Sequence, residues 1–171
     1  MKPDIEQSFL KAYDDYADAI FRHIALRLGD REQARELMQD TYMKVWQYLA
    51  SGKTVENLRA FLYRTANNLI VDTARRRKVR PEQSLEQMHE EHGFDPPAEE
   101  DNSAITHIDA ERVMPILQSI DESLRDVLVM RYVDGLPPKE IAALLGLSAN
   151  VVSVRIHRGM EALRSRLPHE A

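Results

Sequence analysis

The sequence contains no cysteine. A disulfide scaffold, a thiolate metal centre and a thiol nucleophile are therefore excluded, which fits a reducing compartment. Glycine is scarce, at six in 171 residues, and aromatic side chains make up only 6%. With abundant Leu, Ala, Glu, Arg and Gln in their place, the composition favours helix over strand throughout. Long apolar runs are missing as well: no stretch approaches the ~20 residues of a membrane span, and Met1-Lys2-Pro3-Asp4-Ile5-Glu6 lacks the apolar run of a secretory signal. The expectation is a soluble, cytoplasmic protein without membrane insertion. Absent too are a phosphate-binding glycine loop, a His-Glu-x-x-His pair and a nucleophile elbow. No convergent acid, base or nucleophile set marks an enzyme, and no cofactor is expected. His89 and His92 lie three apart among carboxylates, but with no defended third ligand they read as linker surface rather than as a metal site.

What is present is a segregation of charge that the net value of −5 conceals. Residues 1 to 58 are near balance, with 8 basic and 10 acidic groups, whereas 59 to 80 carry 7 basic groups against Asp72 alone. From Pro81 to Ala104 the sign inverts: eight carboxylates, no Lys or Arg, and the breakers Gly93, Pro96 and Pro97. Such a stretch reads as a solvated linker. Residues 105 to 171 return to near balance, with 8 basic and 9 acidic groups. The expected organisation is all-α: two small helical domains, 1–80 and 105–171, joined by a flexible acidic tether over 81–104.

Helical periodicity fills both blocks. Phe9, Tyr13, Tyr16, Ile20, Ile24 and Leu28 recur at three- and four-residue steps and predict a first helix that stops at Gly29. Asp30 and Gln33 have capping-box spacing, followed by the stripe Ala34, Leu37, Met38, Thr41, Val45, Tyr48 and Leu49. Ser51-Gly52-Lys53-Thr54 breaks that second helix. The third carries Leu58, Phe61, Leu62, Thr65, Ala66, Leu69, Ile70 and Thr73 on one face, and Tyr63, Arg64, Asn67, Asn68, Asp72 and Arg75 on the other. Arg75-Arg76-Arg77-Lys78 closes it, where cations suit the negative end of the helix dipole. On the second helix Tyr42 and Trp46 read as core or half-buried packing, while Gln39, Asp40, Met43, Lys44 and Gln47 lie on the more exposed side as a partner surface or plain solvated face.

In the second block Asp121 is placed to cap a helix bearing Leu124, Val127, Leu128 and Arg131 that ends at Gly135. Pro138 opens the next helix, Gly146 permits a left-handed turn, and Ser148 caps a longer helix to about Arg166. This is a helix-turn-helix pattern. Val152, Ile156, Met160, Leu163 and Leu167 are expected to face the core, with Asn150, Ser153, Val154, His157 and Arg158 near the outer surface. A second helix of this kind can enter the DNA major groove, where Asn, Ser, His and Arg meet base edges or phosphates; the alternative is an ordinary αα-hairpin with a polar surface. The basic third helix adds a second element suited to a nucleic-acid strand, since it sets cations beside stacking and hydrogen-bonding groups.

The string Gly29-Asp30-Arg31-Glu32-Gln33-Ala34-Arg35-Glu36-Leu37-Met38-Gln39-Asp40-Thr41-Tyr42-Met43-Lys44-Val45-Trp46 resembles conserved region 2 of the extracytoplasmic-function sigma factors of bacterial RNA polymerase. Asn57 to Asp72, followed by the arginine run, is similar to the end of that region, and Leu124 to Leu136 with Glu140 to Ser148 is similar to region 4. The resemblance covers nearly all of the chain except the linker. It implies a dissociable, non-enzymatic initiation subunit that binds core RNA polymerase at the beta-prime clamp helices and the beta flap. The first domain would read the melted −10 promoter element and the second the duplex −35 element, with an anti-sigma factor as a further partner. Carried over by position, Gln39, Asp40, Met43, Lys44 and Gln47 form the core-polymerase contact. Lys53 in the 51–56 loop, with Tyr63, Arg64, Asn67, Asn68, Arg75 and Arg76, holds an unstacked non-template base and its backbone. Arg131, Asn150, Ser153, Val154, His157 and Arg158 fall at the −35 contact.

The chain departs from the family pattern at Val151, Ser153 and Val154, where Thr, then Lys or Arg, then Ser are usual, so its phosphate anchoring is thinner there. Asp121 stands where Pro is usual, and Gly159 where Ala is common. Two rival readings use the same elements: a stand-alone helix-turn-helix regulator that binds duplex DNA without polymerase, and a helical adaptor that kept only the protein-binding face.

Overall fold

The computed structural model describes residues 3–77 and 110–167, and the acidic joint expected over 81–104, with His89 and His92, lies outside them. The chain divides into two compact units, Met1–Val79 and Arg80–Ala171. Among the described residues all regular structure is helical.

In the first unit α1 (Pro3–Leu28), α2 (Arg31–Ala50) and α3 (Leu58–Arg77) pack pairwise against one another. The breaks follow local chemistry. Gly29 ends α1 at φ 74°, a left-handed conformation that costs glycine little. Asp30 then caps α2, accepting from the amides of Glu32 and Gln33 at 3.0 and 3.1 Å. Only half of the expected capping box forms, because the Gln33 carboxamide oxygen instead accepts from Arg77 of α3. Asn57 caps α3 through Ala60 N–H at 3.1 Å. The core is built from Ile20, Ile24, Ala34, Val45, Leu62, Ala66 and Ile70. Thr41 enters it because its hydroxyl donates to the Leu37 carbonyl at 2.7 Å, so no polar group is left unmade. At one edge Phe9 meets Tyr42 and Trp46 edge-on, with centroids 5.9 and 5.0 Å apart.

In the second unit α4 (Ala110–Ser119) leads to α5 (Glu122–Leu128), which runs on as a π-helical turn over Val129–Val133. The expected side-chain cap by Asp121 does not form. Its carboxylate accepts from the Ser123 hydroxyl at 2.6 Å, and the backbone carbonyl of Asp121 takes the amides of Leu124 and Arg125. Next come α6 (Pro138–Leu145), opened by Pro138, and α7 (Ala149–Arg166). Between them Gly146 adopts φ 68°, and Ser148 Oγ accepts from Val151 N–H at 3.2 Å. The two helices are bent by 105° at this break, within the range of a helix-turn-helix. Val127, Met130, Leu136, Ile141, Ala142 and Val152 form the core beneath them. Gly159 explains one departure from the family pattern: a Cβ there would lie 2.9 Å from Leu128 Cγ, so α7 approaches α5 as closely as it does because the side chain is missing.

Candidate nucleic-acid interface

On α2, Gln39, Asp40, Met43, Lys44 and Gln47 are all exposed, opposite the buried Leu37, Thr41 and Val45. Met43 is 58% exposed, one of three large apolar side chains exposed among the described residues, with Leu10 and Tyr13. Tyr42 and Trp46 flank this surface without joining it. Tyr42 is buried, with its ring against Phe9 and Tyr13. Burial, then the neighbouring Tyr13 and Tyr63, push its phenol above the ordinary value, so the hydroxyl stays protonated.

The residues proposed from sequence to hold single-stranded DNA separate into two groups. Lys53 is exposed in the loop after α2, its ammonium 5.0 Å from the Tyr48 ring centroid. Arg64, Asn68, Arg75 and Arg76 are exposed along α3. Tyr63 and Asn67 are not available as surface contacts, which corrects the reading from periodicity. Tyr63 is 2% exposed and Asn67 3% exposed. Both project toward the end of α1, where His23 and Arg27 are also buried. Asn67 Oδ1 accepts from Arg27 Nη1 at 2.8 Å, and His23 packs edge-on to Tyr63 with centroids 5.3 Å apart. The same guanidinium nitrogen lies 3.2 Å from His23 Nε2. Arg59 stacks over the outer side of Tyr63, at 5.3 Å from the ring centroid. The physical reason for the correction is that α3 is covered by α1 as well as by α2. Its buried arc is wider than one apolar stripe, and the extra width is filled by hydrogen-bonded polar groups. The signal that sequence reading missed is a matched pair of polar i, i+4 positions, His23 with Arg27 on α1 and Tyr63 with Asn67 on α3.

Beside Lys53 the loop closes one side of a cleft of about 950 Å³. Its opposite wall comes from the start of α1, including Asp4, Ile5 and Ser8, which sequence reading assigned no role.

In the second unit Asn150 and Arg158 are exposed on α7, and Ser153 and His157 are half-buried at the same face. His157 Nε2 lies 3.3 Å from Glu161 Oε1, one turn on. Val154 is fully buried, a second correction. The cause is again an extra neighbour: α7 packs on α4, α5 and α6, so Val154 and the buried Arg155 fall inside its covered arc. Arg131 lies half-buried in the π-helical turn, its Nη1 reaching the Leu136 carbonyl at 3.4 Å. Among the described residues no group of His, Asp or Glu side chains is placed to hold a metal ion, and no single helix is long and apolar enough to cross a membrane.

Residues 12–80 match the family Sigma-70 region 2, and residues 110–163 match Sigma-70, region 4. The chain is 31% identical over 176 residues to the ECF RNA polymerase sigma factor SigL of Mycobacterium tuberculosis, covering 95% of this chain and 90% of the relative. It is 27% identical over 177 residues to SigW of Bacillus subtilis, covering 98% and 92%. Among solved structures, the sigma factor RpoE in complex with the anti-sigma factor NepR, from Bartonella quintana, shares the fold with a TM-score of 0.68. Identity is 19%, over 93% of this chain and 96% of that one. CnrH in complex with the cytosolic domain of CnrY gives 0.64 at 24% identity, over 94% and 87%.

Proposed function

We infer the roles of individual residues from one premise: the chain belongs to the sigma-70 family, as an extracytoplasmic-function sigma factor, and is a promoter-directing subunit of RNA polymerase. Such a subunit is not an enzyme. RNA synthesis stays with the core polymerase, and the factor contributes protein and DNA contacts.

Residues 1–80 take the core-binding and −10-reading part, residues 105–171 the −35-reading part, and 81–104 the tether. The exposed α2 face of Gln39, Asp40, Met43, Lys44 and Gln47 docks on the beta-prime clamp helices. Arg64, Asn68, Arg75 and Arg76 on α3, with Lys53 in the loop, receive the melted non-template strand. Extracting a base from the stack costs a few kcal/mol, so a cleft that accepts only the right base turns melting into sequence selection. Tyr63 and Asn67 serve this surface from beneath, as the packing that fixes α3 against α1. On duplex DNA, α7 enters the major groove with Asn150, Ser153, His157 and Arg158 toward the bases and backbone. Arg131, whose Nη1 reaches the Leu136 carbonyl, adds its guanidinium to the same −35 surface. The protein acts in the cytoplasm, and an anti-sigma factor that covers one of these faces is its expected antagonist.

The observation that carries this reading is one pairing on one chain. A cation-edged helix, α3, precedes a helix-turn-helix whose second helix exposes Asn150 and Arg158. The test is run-off transcription by purified core RNA polymerase with and without the protein, on a genomic promoter library read from its transcript starts. Factor-dependent starts sharing −35 and −10 motifs are expected. Absence of such starts, with no binding to core in gel filtration, would return the protein to the stand-alone regulator.

A further inference from the structure

We propose that Arg164, in the last turn of α7, contacts a phosphate of the DNA backbone at the rim of the groove, and anchors this helix whatever the base sequence. This rests on the −35 reading of α7 given above and extends it past the residues that meet bases.

Helical geometry sorts the polar groups of α7. At about 3.6 residues per turn, Ser153, His157, Glu161 and Arg164 all fall within about 60° of Asn150 around the axis. The burial pattern agrees with that placement. Asn150, Glu161 and Arg164 are exposed and Ser153 and His157 half-buried, while Val152, Gly159 and Leu163 on the opposite side are buried. One polar stripe therefore runs the length of the helix and continues past the residues assigned to DNA so far.

Length then separates bases from backbone. At about 1.5 Å per residue, Asn150 to His157 covers roughly 10 Å of the axis, which fits a major groove about 12 Å wide. Arg164 lies roughly 10 Å further on. A helix seated with Asn150 to His157 on base edges thus brings Arg164 to the phosphates that border the groove.

The neighbouring charged groups are differently disposed. The Glu161 carboxylate, between His157 and Arg164 on the stripe, lies 3.3 Å from His157 Nε2 and is turned to the imidazole. The Arg166 guanidinium donates to the Ala162 carbonyl at 3.1 Å. It also leaves α7 about 160° round from Asn150, away from the stripe. Arg164 is the cation that extends the stripe, and a guanidinium fits phosphate through paired N–H donors.

The experiment reads the salt dependence of DNA binding, which a purely structural role would not move. Full-length wild type, Arg164→Ala, Arg164→Lys and Arg166→Ala are each assembled with core polymerase. Affinity is measured between about 50 and 200 mM salt, the range over which phosphate contacts weaken steeply. Two promoter DNAs are compared, one with the −35 motif shared by the factor-dependent starts and one with that motif scrambled. Far-ultraviolet dichroism checks that each variant is folded. Each phosphate neutralised contributes about 0.9 to the slope of log affinity against log salt. Arg164→Ala is expected to lower the slope by about that amount on both DNAs, so that its deficit against wild type shrinks about threefold across the range. Arg164→Lys keeps the charge and should keep the slope, and Arg166→Ala should match wild type. Three results overturn the proposal: the wild-type slope in Arg164→Ala, an equal loss of slope in Arg164→Ala and Arg166→Ala, or a loss confined to the intact −35 motif. Wild type that binds both DNAs equally would instead overturn the −35 reading itself, and would be seen before any variant is compared.

Discussion

Replacing Asn67 by Ala tests whether this side chain is a buried brace or a DNA contact. The structure places its carboxamide oxygen 2.8 Å from Arg27 Nη1, with Arg27 2% exposed. Truncation removes an acceptor from a guanidinium shielded from water. A hydrogen bond to a charged group contributes about 1.5–3 kcal/mol, and the stranded donor adds to the loss. The expected destabilisation of the first unit is therefore about 2 kcal/mol. In urea, where a unit of this size has a slope near 1 kcal/mol per molar, the midpoint falls by roughly 2 M. Trp46 is the single tryptophan and lies in the first unit against Phe9, so its emission reports that unit without interference from the second. This matters because a two-unit chain need not unfold in one step. Asn68→Ala is the control: its side chain is exposed, so stability should stay within about 0.5 kcal/mol while −10-dependent transcription falls. If Asn67→Ala unfolds with the wild-type midpoint and loses transcription, the buried bridge is refuted and Asn67 belongs at the DNA surface.

Other substitutions separate contact from packing in the same way. Asp40→Ala should weaken binding to core polymerase in a gel-filtration competition and leave the Trp46 unfolding midpoint unchanged, because Asp40 is an exposed charge. In the second unit, Arg158→Ala should reduce transcription from −35-dependent promoters by about 1–3 kcal/mol without destabilising the fold. Val154→Ala should do the reverse, costing about 2 kcal/mol in thermal unfolding followed by far-ultraviolet dichroism. Tyr42 sets an alkaline limit. Its phenol is raised above the ordinary value of 10.0, so the stability tied to the neutral form is fully present below pH 10 and is lost as pH rises past it. Tyr42→Phe should flatten the fall of the Trp46 midpoint above pH 10; an unchanged slope would show that the phenol is not the titrating group.

Local rules read from the chain determined most of the helices and their ends. Gly29 and Gly146 hold left-handed conformations at the stops, Asp30 and Ser148 accept the first amides of the helices they precede, and Pro138 opens α6. These features were legible because each depends on a few neighbouring atoms: a missing Cβ, a fixed φ, a side-chain oxygen within reach of an amide. The exposed faces of α2 at Asp40 and of α7 at Arg158 followed from periodicity for the same reason. Tertiary structure alone decided which polar residues leave the surface. Periodicity reports one apolar stripe per helix, whereas α3 is covered by two partners and α7 by three, so the covered arc spreads past that stripe. Within it Tyr63, Asn67, Val154 and Arg155 are buried, and Tyr63 and Asn67 meet the equally buried His23 and Arg27 of α1. Tertiary structure likewise brought Asp4 and Ser8 beside a loop more than forty residues away. No local pattern encodes that juxtaposition, because it exists only once α1 lies against α2 with its first turns at the far end of that helix.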